Sequence, residues 1–351
     1  MNSFTYQYPV KNYFGEGALH TALAAELPAM GEKVMLAYGG GPIKRTGLYD
    51  EIVAALQDAG KTVVEFPGIM PNPTYEKVQE GARIAREEGV DFILAVGGGS
   101  AMDTAKAIAV EATHPGTAWD YNCHTQGPTE KTLPIIAIGT TAGTGSQVTP
   151  CAVITKTADK DKSAIWNKNI FPKVAIVDPE VTLTLPPSVT AQTGFDAFCH
   201  NFEAYLSVNS NPLVECMALD AIAMIAENLP RVLKDGSDLE ARSKMAWADT
   251  LGGLTNSSAG VTLPHGLGMQ IGGHCPHVTH GQALAVFYPA FTRYTYPAAI
   301  SKFAAVGRIF DPSLQKETDE VAAQQCCEAI DRFLKEIGLW MDLESLKVTR
   351  E

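Results

Sequence analysis

Positive charge is scarce in this 351-residue chain: 27 lysines and arginines face 39 aspartates and glutamates, a formal net charge of −12 at pH 7. No basic stretch offsets that acidity, which argues against a nucleic-acid or anionic-membrane partner. Long apolar runs are missing too, since none approaches the roughly 20 residues that span a bilayer. The opening "MNSFTYQYPVKNYFGEG" lacks the basic-then-apolar layout of a secretory signal. Seven cysteines without repeated CxxC spacing make no disulfide framework and suit the reduced thiols of a cytoplasmic protein. The adjacent Cys326 and Cys327 read as packing residues of a helix rather than a metal pair. Neither GxGxxG nor GxxxxGK[ST] occurs, so the usual dinucleotide fingerprint and the P-loop are both absent. There is no internal repeat and no low-complexity segment. What remains is globular: 46% hydrophobic and 19% charged residues, with length for about two domains.

The two halves differ in pattern. "KVMLAYG", "KTVVEF", "VDFILAV", "LPIIAIGT" and "KVAIVDPE" are short apolar strands, and amphipathic helices such as "LYDEIVAALQDAG" and "NPTYEKVQEGARIAREEG" separate the first of them. Continuous apolar strands alternating with helices predict an α/β domain with a parallel sheet covered on both faces. From Leu185 onward the periodicity is helical and no convincing strand is present. The expected architecture is an α/β dinucleotide-binding domain over residues 1–184 and an all-helical domain over residues 185–351, joined at the Pro186–Pro187 pair. The cleft between two such domains is the default place for a site.

Two glycine-rich loops follow strands in the first half. "AVGGGSAMDTAKAIA" sets Gly97, Gly98, Gly99 and Ser100 between a strand and a helix start. Backbone N–H groups with a helix dipole behind them attract phosphate, and glycine lets the phosphate oxygens come close. The plainer reading is a tight strand-to-helix turn with no ligand. "GTTAGTGSQVT" is a second such loop, whose hydroxyls suit ribose and phosphate, and the pair points to a dinucleotide.

In the second half, "TGFDAFCHNFEAY" places Asp196 and His200 four apart on one helix face, a spacing that by itself more often marks a surface hydrogen bond. Downstream, "HGLGMQIGGHCPHVTHG" holds four of the eight histidines among glycines that make poor helix and poor strand. His265 and His280 supply candidates for third and fourth ligands. One carboxylate and three imidazoles suit a divalent transition metal, iron or zinc. Beside a nicotinamide, such a metal polarises an alcohol or aldehyde oxygen while a hydride is exchanged.

With these motifs in order, "GGGSAMDTAKAIA", "TTAGTGSQVT", "AIVDPE", "TLPPSVTAQTGFDAFCHNFEAYLS" and "THG", the chain resembles the iron-containing (group III) alcohol dehydrogenases. The resemblance implies metal ligands at Asp196, His200, His265 and His280. It implies a pyrophosphate site around Gly98, Gly99, Ser100 and Asp103. Thr140, Thr141, Thr144 and Ser146 would face the nicotinamide half, and Lys162 the ribose. Many members carry a proton-relay histidine four residues after the third ligand. Met269 stands there in this chain, so His277, and after it His274, is the expected relay.

"YGGGPIKRTGLYDE" resembles the butanol-dehydrogenase-like branch, whose members tend to use NADPH. A carboxylate at the end of that strand would repel a 2′-phosphate. Gly39 and Gly40 stand there instead, with Lys44 and Arg45 close behind, so NADP(H) is favoured over NAD(H). The plainer reading of Lys44 and Arg45 is a solvated helix entry. The expected protein is a cytoplasmic, homodimeric, metal-dependent NAD(P)-linked alcohol dehydrogenase or aldehyde reductase acting on a small alcohol or aldehyde. Its rivals are a glycerol-dehydrogenase or dehydroquinate-synthase-like metalloenzyme and a non-catalytic nucleotide- or metal-binding relative.

Overall fold

The computed structural model describes residues 3–124 and 126–349. The chain divides into two compact units. The first, Gln7–Thr141 with Gly145–Thr184, runs β1 (Lys11–Phe14), α1 (Ala18–Glu26), β2 (Lys33–Tyr38), α2 (Pro42–Arg45), α3 (Leu48–Asp58), β3 (Thr62–Phe66), α4 (Tyr75–Glu88), β4 (Phe92–Gly97) and α5 (Gly99–Thr113). It continues through β5 (Ile135–Gly139), β6 (Cys151–Lys156), β7 (Asp161–Trp166) and β8 (Val174–Val177). Six strands form one sheet in the order β1-β8-β5-β4-β2-β3, every neighbouring pair parallel. β6 and β7 make a separate antiparallel hairpin.

The apolar runs are explained by burial on both faces. Met35, Ile93 and Ile135 point into one core layer with α4 and α5, while Leu36, Leu94 and Ile136 point into another with α1 and α3. Period-2 geometry sends neighbours to opposite faces, so a strand covered on both has no polar positions to spare. Helix ends follow local chemistry. Thr74 caps α4 by accepting the Lys77 N–H, and Gly89 closes it in the left-handed region at φ +65°. The strands β4 and β5 end in the two glycine-rich loops, at the sheet edge where open parallel sheets take their ligands.

The second unit runs from Leu185 onward: α6 (Pro187–Leu206), α7 (Pro212–Lys234), α8 (Leu239–Ala259), α9 (Leu263–His274), α10 (His280–Thr295), α11 (Ile300–Phe310) and α12 (Asp319–Glu336). Its core gathers Phe195, Phe198 and Phe202 of α6 with Tyr288 of α10 and Phe333 of α12. Two pieces of chain outside 185–351 pack with this unit: residues 3–6 and Ala142–Thr144. The partition is therefore not a single cut at 184/185. Gly143 donates its N–H to Asp249 of α8, which draws its loop into the helical unit.

The histidine-rich stretch also differs from its reading as poor helix. α9 is helical through His274. The glycines serve packing: a Cβ at Gly268 would stand 3.4 Å from the Leu284 side chain and 3.7 Å from that of Ala283, so α9 lies close on α10.

Candidate metal centre

α6 carries the first part of the centre. Asp196, His200 and Glu203 recur at four and three residues and share one buried helix face. Gly252 on α8 permits this burial, since a Cβ there would come within 3.4 Å of His200 Cβ and 2.9 Å of Asn201 Nδ2. α9 contributes His265 from its first turn, and α10 opens with His280, capped by Thr279 and Gln282.

The ligating atoms of Asp196, His265 and His280 lie within 4.8 Å of one another. Asp196 Oδ1 stands 3.4 Å from His265 Nε2 and 3.6 Å from His280 Nε2. His200 lies alongside: its ring stacks on His265 at 4.6 Å between centroids, and its Nδ1 is 3.7 Å from Asp196 Oδ1. The structure thus brings Asp196, His265 and His280 into one tight group with His200 at its edge. His274 and His277 stand outside it. Both are exposed; His274 Nδ1 lies 3.0 Å from the Gln270 carbonyl and His277 Nε2 2.9 Å from the Leu346 carbonyl.

Two buried atoms test whether a metal fits. Asp196 Oδ1 and His265 Nε2 are fully shielded and make no hydrogen bond of good geometry among the described residues. Buried polar atoms are otherwise almost always paired, and a cation at their common focus would satisfy both. The nitrogen-and-oxygen donor set is that of a divalent transition metal. The electrostatics agree. Burial opposes ionisation of Asp196, but the imidazoles of His200, His280 and His265 outweigh it and hold the carboxyl below its usual range. Burial likewise opposes a charge on His265, yet Glu203 and Asp196 lift its pKa to about 10. At His200 burial prevails and the pKa falls, favouring the neutral ring that binds metals. A cluster that draws a proton onto His265 draws a metal cation for the same reason.

Glu203 escaped the sequence reading. Its carboxylate is fully buried and accepts from His265 Nδ1 at 2.8 Å, the Thr262 N–H at 2.7 Å, Thr262 Oγ1 at 3.2 Å and the Tyr288 hydroxyl at 3.2 Å. By accepting the Nδ1 proton it directs His265 Nε2 toward Asp196. The signal was available in "FDAFCHNFEAY", where the acid falls on the helix face already carrying Asp196 and His200.

In the first unit, Gly98, Gly99 and Ser100 form the start of α5 directly after β4. Gly97 has φ +152°, and a Cβ on Gly98 would lie 2.9 Å from Thr141 Oγ1, so the turn excludes side chains. Thr140 donates its N–H to the Gly97 carbonyl, tying the second loop to the first. Asp103 turns inward: its carboxylate accepts from Ser146 Oγ at 2.6 Å and the Val153 N–H at 3.0 Å. Lys106, also missed, is wholly buried, with Nζ 2.7 Å from the Ser146 and Cys151 carbonyls and 3.0 Å from that of Thr149. Lys162 donates to Asn72 Oδ1 at 2.8 Å. Thr144 belongs to the segment that packs with the helical unit. Gly39 and Gly40 follow β2, and Lys44 lies over the Tyr49 ring at 4.2 Å with Glu65 3.8 Å away.

Comparison with known proteins agrees with this layout. A family model described as "Iron-containing alcohol dehydrogenase" matches residues 9–179, and one described as "Fe-containing alcohol dehydrogenase family, C-terminal" matches residues 190–351. The NAD-dependent methanol dehydrogenase of Bacillus methanolicus is 33% identical over 94% of this chain and 86% of its own length. A probable NADH-dependent butanol dehydrogenase of Bacillus subtilis is 34% identical over 96% of this chain and 88% of its own. The solved structure of an archaeal halo-thermophilic alcohol dehydrogenase from a Red Sea brine pool superposes with a TM-score of 0.95 at 36% identity, covering 99% of this chain and 89% of that one. Matched over both halves and carrying a buried carboxylate–imidazole cluster, the chain belongs to the iron-containing alcohol dehydrogenase family.

Proposed function

We propose that Asp196, His200, His265 and His280 hold a divalent metal, iron(II) or zinc, in an enzyme that interconverts a small alcohol and its aldehyde. The class itself, a metal-dependent and nicotinamide-linked alcohol oxidoreductase, follows from the family. The observation that carries the ligand set is the convergence of Asp196, His265 and His280 within 4.8 Å. When bound, the metal supplies a Lewis acid that polarises the substrate oxygen. The protein's own groups orient and protonate. Glu203 fixes the His265 ring, the Gly143 carbonyl accepts a hydrogen bond from His200 Nδ1, and His277, with His274 as second candidate, exchanges protons with solvent.

For the nicotinamide, Gly98, Gly99 and Ser100 take the pyrophosphate and the loop of Thr140, Thr141, Thr144 and Ser146 the reactive half. Lys162 takes the ribose, and Asp103 acts by holding Ser146. NADP(H) is the preferred form in this reading, because Gly39 and Gly40 offer no carboxylate against a 2′-phosphate and Lys44 stands near. One observation favours NAD(H) instead: Glu65 accepts from both Tyr38 and Tyr49 and attracts Lys44. The butanol dehydrogenase relative is also named NADH-dependent.

A cofactor-binding α/β domain within residues 1–184, a metal-binding helical domain of residues 185–351 to which Ala142–Thr144 add, a cytoplasmic location and a homodimer complete the proposal. No helix among the described residues is long and apolar enough to cross a membrane. The test pairs metal analysis with kcat/KM for NADPH and NADH on a panel of aldehydes. His265→Ala and His280→Ala are expected to lose metal and turnover together, and His274→Ala to keep its metal. Stoichiometric metal in His280→Ala would reject the ligand set, and a higher kcat/KM with NADH would reject the NADP(H) preference.

A further inference from the structure

The geometry points to Asp249 as a positioning residue for the metal centre, acting through the backbone of Gly143 on the His200 ring. The inference rests on the reading of His200 as a ligand. His200 Nδ1 lies 3.1 Å from the Gly143 carbonyl oxygen. A carbonyl only accepts, so Nδ1 carries the proton and the lone pair sits on Nε2. The same residue is held at its other end, where the Gly143 N–H, in the preceding peptide unit, donates to Asp249 Oδ1 at 2.7 Å. Asp249 lies on α8, one turn before Gly252, the residue that lets α8 approach α6 at His200.

Asp249 is only 2% exposed, and burying an acid is costly unless strong donors meet it. Ala142, next in the chain, is part of the helical core. Gly143 itself has no room for a side chain, since a Cβ would stand 2.5 Å from the Thr193 carbonyl oxygen and 2.6 Å from Thr193 Cβ. Gly143 is thus seated by Asp249, Thr193 and His200, all in the helical unit, although it comes from the loop between β5 and β6. Partners that fix the non-ligating nitrogen of a metal-bound histidine set both its tautomer and its ring plane. Here that partner is a backbone carbonyl, and Asp249 determines where the carbonyl points.

The test is a double-substitution cycle read as zinc affinity. Zinc-loaded wild type, Asp249→Leu, His200→Ala and the double variant are titrated with a chromophoric chelator. Asp249→Leu should weaken zinc binding by about 10- to 100-fold, the usual effect of losing such a partner. It should have no further effect once His200 is alanine, because its influence passes through that ring. Asp249→Asn, which still presents an oxygen to the Gly143 N–H, should bind zinc as wild type does. If His200→Ala alone leaves affinity unchanged, the ligand reading fails. If His200→Ala weakens binding but Asp249→Leu does not, or costs as much in the alanine background as in wild type, the positioning role is overturned. Loss of affinity in Asp249→Asn overturns it as well. Gly143→Ala displaces the same backbone and passes through the same cycle, so the outcome stands even if Asp249→Leu does not fold, as judged by near-ultraviolet circular dichroism.

Discussion

Glu203 is a single, fully buried acid, and four donors converge on it. Replacing it by leucine removes the acceptor of His265 Nδ1 and strands the Tyr288 hydroxyl and Thr262 N–H in a buried setting. Metal affinity should fall by about 10- to 100-fold, and equilibrium dialysis against zinc measures it. Unchanged affinity in Glu203→Leu would show that His265 needs no orienting partner. His277 tests proton delivery. Its Nε2 is engaged with the Leu346 carbonyl, which leaves Nδ1 to exchange a proton. His277→Ala should bind metal and nicotinamide normally and reduce aldehydes about 10²- to 10⁴-fold more slowly, the usual contribution of a positioned acid–base group. Wild-type rates and pH profile in His277→Ala and in the double variant with His274→Ala would leave protonation to solvent. These residues differ in how far the sequence exposes them. Asp196 and His200 are legible because a four-residue spacing on a helix is a direct statement about one face. Glu203 obeys the same rule and needed only the pattern to be carried one step further. Asp249 had no such signal, since its partner Gly143 is 106 residues away and the pairing exists only after folding.

Among the elements, the sheet strands of α/β type were readable because burial on both faces leaves continuous apolar runs. β1 and the β6–β7 hairpin were not, because each keeps polar or half-exposed positions, as in "KNYF" and "DKSAIW". α9 was obscured for the opposite reason: its glycines lower helix propensity, and the close approach to α10 that compensates is a tertiary fact. α5 carries the most consequential element-level device. Its Lys106 enters the loop after β5 and gathers the carbonyls of Ser146, Thr149 and Cys151, with Asp103 4.0 Å away. Burial pushes the lysine pKa down and Asp103 opposes that shift. Lys106→Met keeps the length of the side chain but leaves three carbonyls and an acid facing an apolar group. Removing one partner of such a buried pair costs about 3–5 kcal/mol. The urea midpoint should fall accordingly, and the KM for the nicotinamide should rise because Ser146 keeps its bond to Asp103 but loses the lysine that held its carbonyl. A midpoint within error of wild type would show that the loop holds its shape without the lysine.

For the molecule as a whole, buried acids of high pKa set the alkaline limit. Burial pushes the Cys326 thiol of α12 well above its ordinary value, and burial with help from Glu215 lifts the Tyr205 phenol to about 12. Both folded-state values exceed the unfolded ones, so their stability contribution is complete below about pH 8.5 for the thiol and 10 for the phenol. It is lost as pH climbs toward the folded values. Urea midpoints of the holoenzyme should therefore decline from about pH 9 upward, and Cys326→Ala should flatten the early part of the decline. Midpoints level to pH 11 would contradict the burial of these groups. Two units were legible from the change of pattern at Leu185, but the assignment of Ala142–Thr144 was not, because those residues read as part of one continuous loop. That assignment bears on how relatives can be recombined. A crossover at residue 184 gives the progeny one parent's metal-binding helices and the other parent's Gly143 peptide, pairing a His200 and an Asp249 with a backbone they were not selected against. Shuffled libraries of this family should therefore be richest in active progeny when residues 142–144 and everything from 185 onward are inherited from the same parent.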